Sequence, residues 1–305
     1  MTTGEVMLGA AGGESTAPPP AAGRRRPGLA WLGLVPLAAY AAAFLVLPAG
    51  LVLVDAFRDG AGGWTLENVS NLFGAEYRDA YRTSIEVSLT SALIGGSLGA
   101  LMAYAVVSGG APRWLRGVLT TFSGVAANFA GVPLAFAFIA TLGTTGLVTR
   151  LISDHLGIDL YSEGFSLFTF WGVVLTYVYF QIPLMILVIA PAIDGLRPQW
   201  REAAEGLGAS GVQYWRIVGL PVLAPSLLGA MVLLFGNAFS AYATAAALTS
   251  GGVNLVPIQI ANLVSGNVLS NPNQAHALAL GMIVVVSVTM VIYALLARRS
   301  ARWLR

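Results

Sequence analysis

The chain has 305 residues, of which 56% are hydrophobic and only 10% charged, with a formal net charge of +2 and a mean hydropathy of +0.75. Soluble domains carry about a quarter charged residues, so this composition excludes a soluble globular domain and indicates a protein solvated mainly by lipid. The absence of cysteine excludes disulfide scaffolds and thiolate metal sites, and the small net charge argues against nucleic-acid binding.

The first 28 residues are rich in Gly, Ala and Pro and include Arg24-Arg25-Arg26, a composition typical of a disordered cytoplasmic tail. Residues 29–305 are predicted to form one membrane domain. Ala39-Tyr40-Ala41 resembles a signal-peptide cleavage site. The apolar run continues to Val54, however, which is too long for the core of a signal peptide. The run is therefore predicted to be an uncleaved first span.

Five further apolar segments follow at about residues 83–108, 117–141, 166–190, 223–248 and 276–297. Each is long enough to cross a hydrocarbon core about 30 Å thick, and backbone groups in lipid must be satisfied within the segment. The predicted fold is therefore an all-α integral membrane protein with six transmembrane helices. Pro133 and Pro183 lie inside two of these segments and predict kinks there.

The arginines predict the orientation of these spans. In the six-span arrangement, 12 of the 16 basic residues, all of them arginine, fall on the side of the two termini. Cytoplasmic loops carry an excess of basic residues, so both termini are predicted to lie on the cytoplasmic side of a bacterial inner membrane.

Residues 191–222, between the fourth and fifth spans, have the pattern of a short helix. Pro198 suits its first turn, where the missing N–H costs nothing. An apolar stripe follows at helical spacing, formed by Trp200, Ala203, Ala204 and Leu207. Gly208 can then adopt the positive φ that commonly ends a helix.

Ser210 with Gln213 fits a capping box, which predicts a second short helix. Pro221 and Pro225 are predicted to end that helix and to introduce the fifth span. The alanines of the stripe permit close approach of a partner at the inner face. On these grounds alone, a docking loop and an amphipathic loop resting on lipid headgroups remain equal alternatives.

This segment resembles the EAA loop of permease subunits in binding-protein-dependent ATP-binding cassette (ABC) importers. The family pattern is E-A-A, three residues, G, nine residues, I, one residue, L-P. The chain matches it with Glu202, Ala203, Ala204, Gly208, Val218 (in the isoleucine position), Leu220 and Pro221. Gly206 departs from the Asp that many relatives place before the Leu-Gly pair.

The resemblance implies a type I importer fold, in which two permease subunits pair around a translocation pathway. It implies two cytoplasmic ATP-binding subunits, each with a groove for one EAA loop, and an extracytoplasmic substrate-binding protein. Glu202 would then contact the ATPase, Ala203 and Ala204 would pack against it, Gly208 would form the turn, and Leu220-Pro221 would complete the motif. The chain itself would be a non-catalytic subunit without cofactor or metal.

Isolated polar side chains inside the predicted spans are candidates for the pathway, because an unpaired polar group in lipid is costly. They are Asn128, Gln181, Asn237, Ser240 and Tyr242. Hydrogen bonds between helices explain the same residues without a ligand. The predicted spans have no charged residue near their middles, which speaks against the alternative function, a secondary transporter or channel.

Within the family, the last third of the chain, including residues 256–260 and 271–273, resembles spermidine/putrescine permeases. That likeness implies a polyamine substrate. Permeases for ferric iron, thiamine, phosphonates and sugars remain open alternatives, because the binding protein usually sets the ligand in this architecture. His155 and His276 have no second histidine at ligand spacing, so metal binding is not predicted.

Overall fold

The computed structural model describes residues 34–107, 112–266 and 272–302, which are almost entirely helical. The predicted tail at residues 1–28 lies outside these ranges. The chain divides into two compact units, one up to Gly50 and one from Leu51 onward. The first unit contains α1 (Val35–Ala41), a π-helical turn (Ala42–Val46) and the beginning of α2 (Leu47–Asp55).

The second unit contains the other helices. They are α3 (Glu67–Asn71), α4 (Ala75–Val107), α5 (Arg113–Asn128), α6 (Val132–Leu142), α7 (Leu147–Leu156), α8 (Phe170–Asp194), α9 (Pro198–Gly206), α10 (Gly211–Tyr214), α11 (Leu220–Phe239), α12 (Ala243–Thr249), α13 (Val256–Ser265) and α14 (Pro272–Arg302). Within the described ranges, six helical segments are long and apolar enough to cross a membrane: Val35–Asp55, Ala75–Val107, Val132–Leu156, Phe170–Asp194, Gly211–Phe239 and Asn273–Leu295. The predicted six-helix, all-α class is confirmed.

The third predicted span, residues 117–141, is not one helix, and that prediction is wrong. α5 ends at Asn128 and α6 begins at Val132. Gly131 has φ 73° and ψ −148°, outside the helical region, and Pro133 lies in the first turn of α6, where it begins a helix and does not kink one. The third membrane-length segment instead joins α6 to α7.

The fifth predicted span, residues 223–248, is also interrupted, because α11 ends at Phe239 and α12 begins at Ala243. At its other end, Pro221 and Pro225 do not terminate the preceding short helix. Helical structure runs without a break from Gly211 to Phe239. A π-helical turn, Trp215–Gly219, joins α10 to α11 with a hydrogen bond from the Leu220 N–H to the Trp215 carbonyl, so Pro221 falls in a new first turn.

The centre of the second unit is formed by α4, α8 and α11, which pack against one another. Glycines on α4 allow this approach. A Cβ at Gly95 would lie 2.5 Å from the Gln181 Cβ, and one at Gly99 would lie 2.6 Å from the Ile182 carbonyl oxygen. Large apolar side chains remain exposed along many of the helices, as expected where lipid replaces water as the solvent.

Candidate functional site

The predicted turn after α9 is a complete C-terminal helix cap. Gly208 has φ 82°, the positive value predicted for it. The Gly208 N–H donates to the Glu205 carbonyl at 2.9 Å, and the Ala209 N–H donates to the Ala204 carbonyl at 2.9 Å. These two bonds are the pair that defines a Schellman motif, which satisfies the last carbonyls of α9.

The predicted capping box starts α10. The Gln213 N–H donates to the Ser210 Oγ at 3.3 Å, and the Ser210 N–H donates to the Gln213 Oε1 at 2.7 Å. With helix end and helix start both capped, residues 195–221, called the EAA loop below, form a defined helix–turn–helix.

The EAA loop is anchored to the transmembrane helices at both ends. The Trp215 ring packs edge-on against Tyr104 of α4, with ring centroids 4.7 Å apart. Asp194, the last residue of α8, forms an ion pair with Arg116 of α5. Leu220 and Pro221 lie in the first turn of α11, so the loop continues directly into that helix. The loop therefore follows α8 directly, contacts α4 and continues into α11.

The apolar stripe on α9 is exposed over most of its length. Leu207 is 89% exposed and Trp200 is 37% exposed, while Ala203 is exposed and Ala204 half-buried. An exposed apolar stripe on a short, capped helix is a surface suited to a protein partner or a lipid surface.

Charged side chains flank this stripe. Arg201 donates to Glu205 at 2.9 Å, and this hydrogen bond raises the pKa of Arg201. Glu202 is exposed and makes no ion pair within the described part of the chain. Its carboxylate is therefore available to a partner.

Four of the five polar candidates for the pathway lie at the two helix breaks, residues 129–131 and 240–242. Asn128 ends α5, Asn237 lies in the last turn of α11, and Ser240 and Tyr242 flank the second break. All four are exposed. They offer amide and hydroxyl groups, and the sequence places no charged residue between Arg116 and Arg150 or between Arg216 and Arg298.

The two breaks lie next to each other. The Gly131 N–H donates to the Thr244 Oγ1 at 2.8 Å, and a Cβ built at Gly131 would lie 3.8 Å from the Ala243 Cβ. The Tyr177 hydroxyl of α8 donates to the Ala241 carbonyl at 2.7 Å, inside the second break. Broken helices of this kind present backbone and side-chain hydrogen-bonding groups within a membrane protein.

Gln181 is not part of this polar surface. It is fully buried, and its Nε2 donates to the Leu234 carbonyl at 3.1 Å, which joins α8 to α11. The hydrogen bond between helices that the alternative interpretation of this residue expects is present.

The sequence pattern did not single out Tyr177, Thr244 or Gly131. One signal for the first break was present, since Pro133 follows Gly131 by two residues, and a proline in the first turn commonly marks a helix start. For Thr244 no signal existed, because its partner lies 113 residues away in the sequence.

The chain matches the family model described as binding-protein-dependent transport system inner membrane component over residues 95–304. It belongs to this family. It is a permease subunit of a type I ABC importer.

Curated relatives carry names for different solutes. A probable ABC transporter permease, y4fN of Sinorhizobium fredii, is 36% identical over 107 residues, 35% of this chain but only 18% of that protein. The trehalose transport permease SugB of Mycobacterium tuberculosis is 27% identical, with 77% of this chain and 78% of that protein covered. Further relatives are named for sulfate transport in Salmonella typhimurium and for spermidine/putrescine transport in Haemophilus influenzae.

A solved structure supports the fold. A chain of a bacterial ABC transporter that imports the acidic polysaccharide alginate is 19% identical, with a TM-score of 0.69, and the match covers 89% of this chain and 95% of that one. A chain from a structure of a bacterial alginate ABC transporter in complex with a periplasmic protein bound to an alginate pentasaccharide is also similar, with a TM-score of 0.66. At this identity the likeness establishes the fold of the chain and leaves its solute open.

Proposed function

We propose that this chain forms, with a second permease subunit that is identical or homologous, the pathway by which an ABC importer moves a solute into the cell. Two cytoplasmic ATP-binding subunits drive the cycle, and an extracytoplasmic binding protein delivers the solute. The membership in a binding-protein-dependent family supports these kinds of partner. The chain hydrolyses no ATP itself; that reaction belongs to the partner subunits.

The observation that carries the proposal is the exposed EAA loop. Its family pattern begins on α9, where Glu202, Ala203 and Leu207 are exposed, and runs through the capped turn to Pro221. In the proposed contact, Ala203 and Ala204 pack closely against the ATPase and Glu202 makes a polar contact. A loop that only rests on lipid headgroups would not need this spacing.

The orientation of the chain in the membrane follows from the proposed contact between the EAA loop and the ATP-binding subunit. The ATP-binding subunits are cytoplasmic, so the EAA loop faces the cytoplasm, as the distribution of arginines also favours. Both chain termini are then cytoplasmic, and the protein is a multi-pass component of the inner membrane.

The solute remains a separate proposal. The likeness of the last third of the chain to spermidine/putrescine permeases supports a polyamine, and a relative carries that name. Other relatives are named for trehalose and sulfate. Measuring which solute is bound by the binding protein that delivers to this permease decides among these classes.

Replacing Glu202 by alanine is expected to weaken the association with the ATP-binding subunit by about tenfold, because a charge-assisted hydrogen bond at a protein interface contributes about 1.5 kcal/mol or more. Co-purification of the two subunits at graded concentrations measures the change. Glu205→Ala is the matched control, since Glu205 already pairs with Arg201 on the same helix. Full association and full ATP-dependent uptake by Glu202→Ala would contradict the proposed contact of Glu202 with the ATP-binding subunit.

A further inference from the structure

We infer that Thr244 is a positioning residue, which fixes the helix break at residues 240–242 against the break at residues 129–131 so that both move as one unit during transport. The inference rests on the proposed function, because it concerns the pathway of that importer. It assigns a role to a side chain that neither the EAA motif nor the polar pathway candidates include.

The hydrogen bond of Thr244 differs from those of other threonines in the fold. Thr176 and Thr249, both buried, donate to the carbonyl four residues earlier in their own helices, at 2.9 Å each. The Thr244 hydroxyl, 3% exposed, instead accepts from the Gly131 N–H of a different segment. Such a bond between segments fixes their relative position, whereas a bond within one helix does not.

The start of α6 depends on this contact. Gly131 is the N-cap residue of α6, and α6 has no side-chain cap from its own segment. The first N–H groups of a helix have no partner within it, so they require one from elsewhere. Thr244 supplies an acceptor from the first turn of α12, and thus joins the beginnings of two helices that follow breaks.

A second hydrogen bond connects the same unit to α8. The Tyr177 hydroxyl, on a side chain 1% exposed, donates to the Ala241 carbonyl inside the second break. α8 runs on to Asp194, and α9 of the EAA loop begins at Pro198. A displacement of the EAA loop therefore reaches the second break through Tyr177, and Thr244 extends it to the first.

The test uses the absence of cysteine from the chain. Asn128→Cys introduces one reporter thiol, and a membrane-impermeant methanethiosulfonate reagent measures its labelling rate with and without ATP and vanadate. The sample is the membrane complex with its ATP-binding subunits. The ratio of the two labelling rates measures how far the exposure of the first break changes with the state of the ATP-binding subunits.

Thr244→Val keeps the shape of the side chain and removes the acceptor. We expect it to reduce the ATP-dependent change in labelling by about tenfold, the effect of leaving one amide unpaired, while the amount of complex and its ATP hydrolysis remain. Thr244→Ser, which keeps the hydroxyl, should restore the change. Thr249→Val is the matched control on the same helix and should retain it.

An engineered disulfide between the two breaks tests whether they move as one unit. Cysteines at Gly131 and Ala243 would have Cβ atoms about 3.8 Å apart, the usual separation in a disulfide. Because Gly131 has φ 73°, which strains an L-residue, Gly131→Cys alone is the control for the effect of the substitution on the break. Oxidation should restore the ATP-dependent change to the Thr244→Val variant, and reduction should abolish it again. Peptide mass analysis verifies that these two thiols, and not the reporter, have paired.

Two results from these variants would overturn the inference. One is a Thr244→Val complex with an unchanged labelling ratio; the other is a disulfide that blocks the ATP-dependent change, because the two breaks would then have to separate. If the reporter chain with Thr244 intact drives ATP-dependent uptake but shows no change in labelling, the first break does not move during transport and the inference is wrong. Loss of ATP-dependent uptake from the complex with the unmodified chain would instead contradict the proposed function.

Discussion

Replacing Gly208 by valine is expected to uncouple this permease from its ATP-binding subunit while leaving the transmembrane helices folded. Gly208 has φ 82°, a conformation that costs an L-residue about 1–2 kcal/mol and a β-branched one more. Nothing lies within 4 Å of the place where its Cβ would be, so the effect comes from the backbone and not from a clash. The strained turn would redirect α10 relative to α9.

Gly208→Val is expected to weaken the association with the ATP-binding subunit about tenfold, which corresponds to about 1.4 kcal/mol, and to reduce ATP-driven uptake in parallel. Gly206→Ala is the matched control. Gly206 lies in α9 with open space around a Cβ, and alanine favours a helix by about 0.5–1 kcal/mol over glycine. Equal association of Gly208→Val and the unmodified chain would show that the geometry of the turn is not needed for docking.

Replacing Leu207 by glutamate is expected to have a comparable or larger effect on docking. Leu207 is 89% exposed, so the substitution removes almost no contact within this chain. If the side chain enters a groove of the ATP-binding subunit, burying a carboxylate there should cost about 2 kcal/mol or more, which is an association about thirtyfold weaker.

Titration of the purified ATP-binding subunit against the permease in detergent measures this effect. Leu207→Met, similar in volume and apolar, should retain association. Thermal unfolding of Leu207→Glu alone should match the unmodified chain, because the side chain faces outward. A permease with glutamate at this position that binds the ATPase normally would place Leu207 outside the interface.

Local signals in the sequence predicted the turn of the EAA loop and the start of its second helix, although not the continuation of that helix past Pro221. The capping box at Ser210 and Gln213 and the positive φ of Gly208 depend on residues within a few positions of one another, and the structure contains both. The length of the apolar segments likewise predicted six membrane-length helices.

The helix breaks were not predictable in the same way. Residues 129–131 and 240–242 are mostly small or apolar, so they continue the apolar run that predicts a span. What stabilises each break is a partner far away in the chain: Thr244 for Gly131, and Tyr177 for Ala241. Hydropathy records which segments enter lipid, whereas these bonds depend on how the segments pack.

The polar candidates for the pathway differ in their exposure for the same reason. Asn128, Ser240 and Tyr242 are exposed at the breaks, whereas Gln181 is buried between α8 and α11. In the sequence all of them are isolated polar residues in apolar surroundings, and only the packing distinguishes the one that joins two helices from those that stay exposed.

The most direct test of the coupling role is a cross-link from Ala203. In a chain without other cysteines, Ala203→Cys should form a bifunctional-maleimide adduct with a cysteine in the groove of the ATP-binding subunit, and Ser162→Cys, in the loop between α7 and α8, should form none. A band at the summed mass of the two subunits, present only for Ala203→Cys, is the expected result. An ATPase that co-purifies with the permease but never cross-links to Ala203→Cys would contradict coupling through this loop.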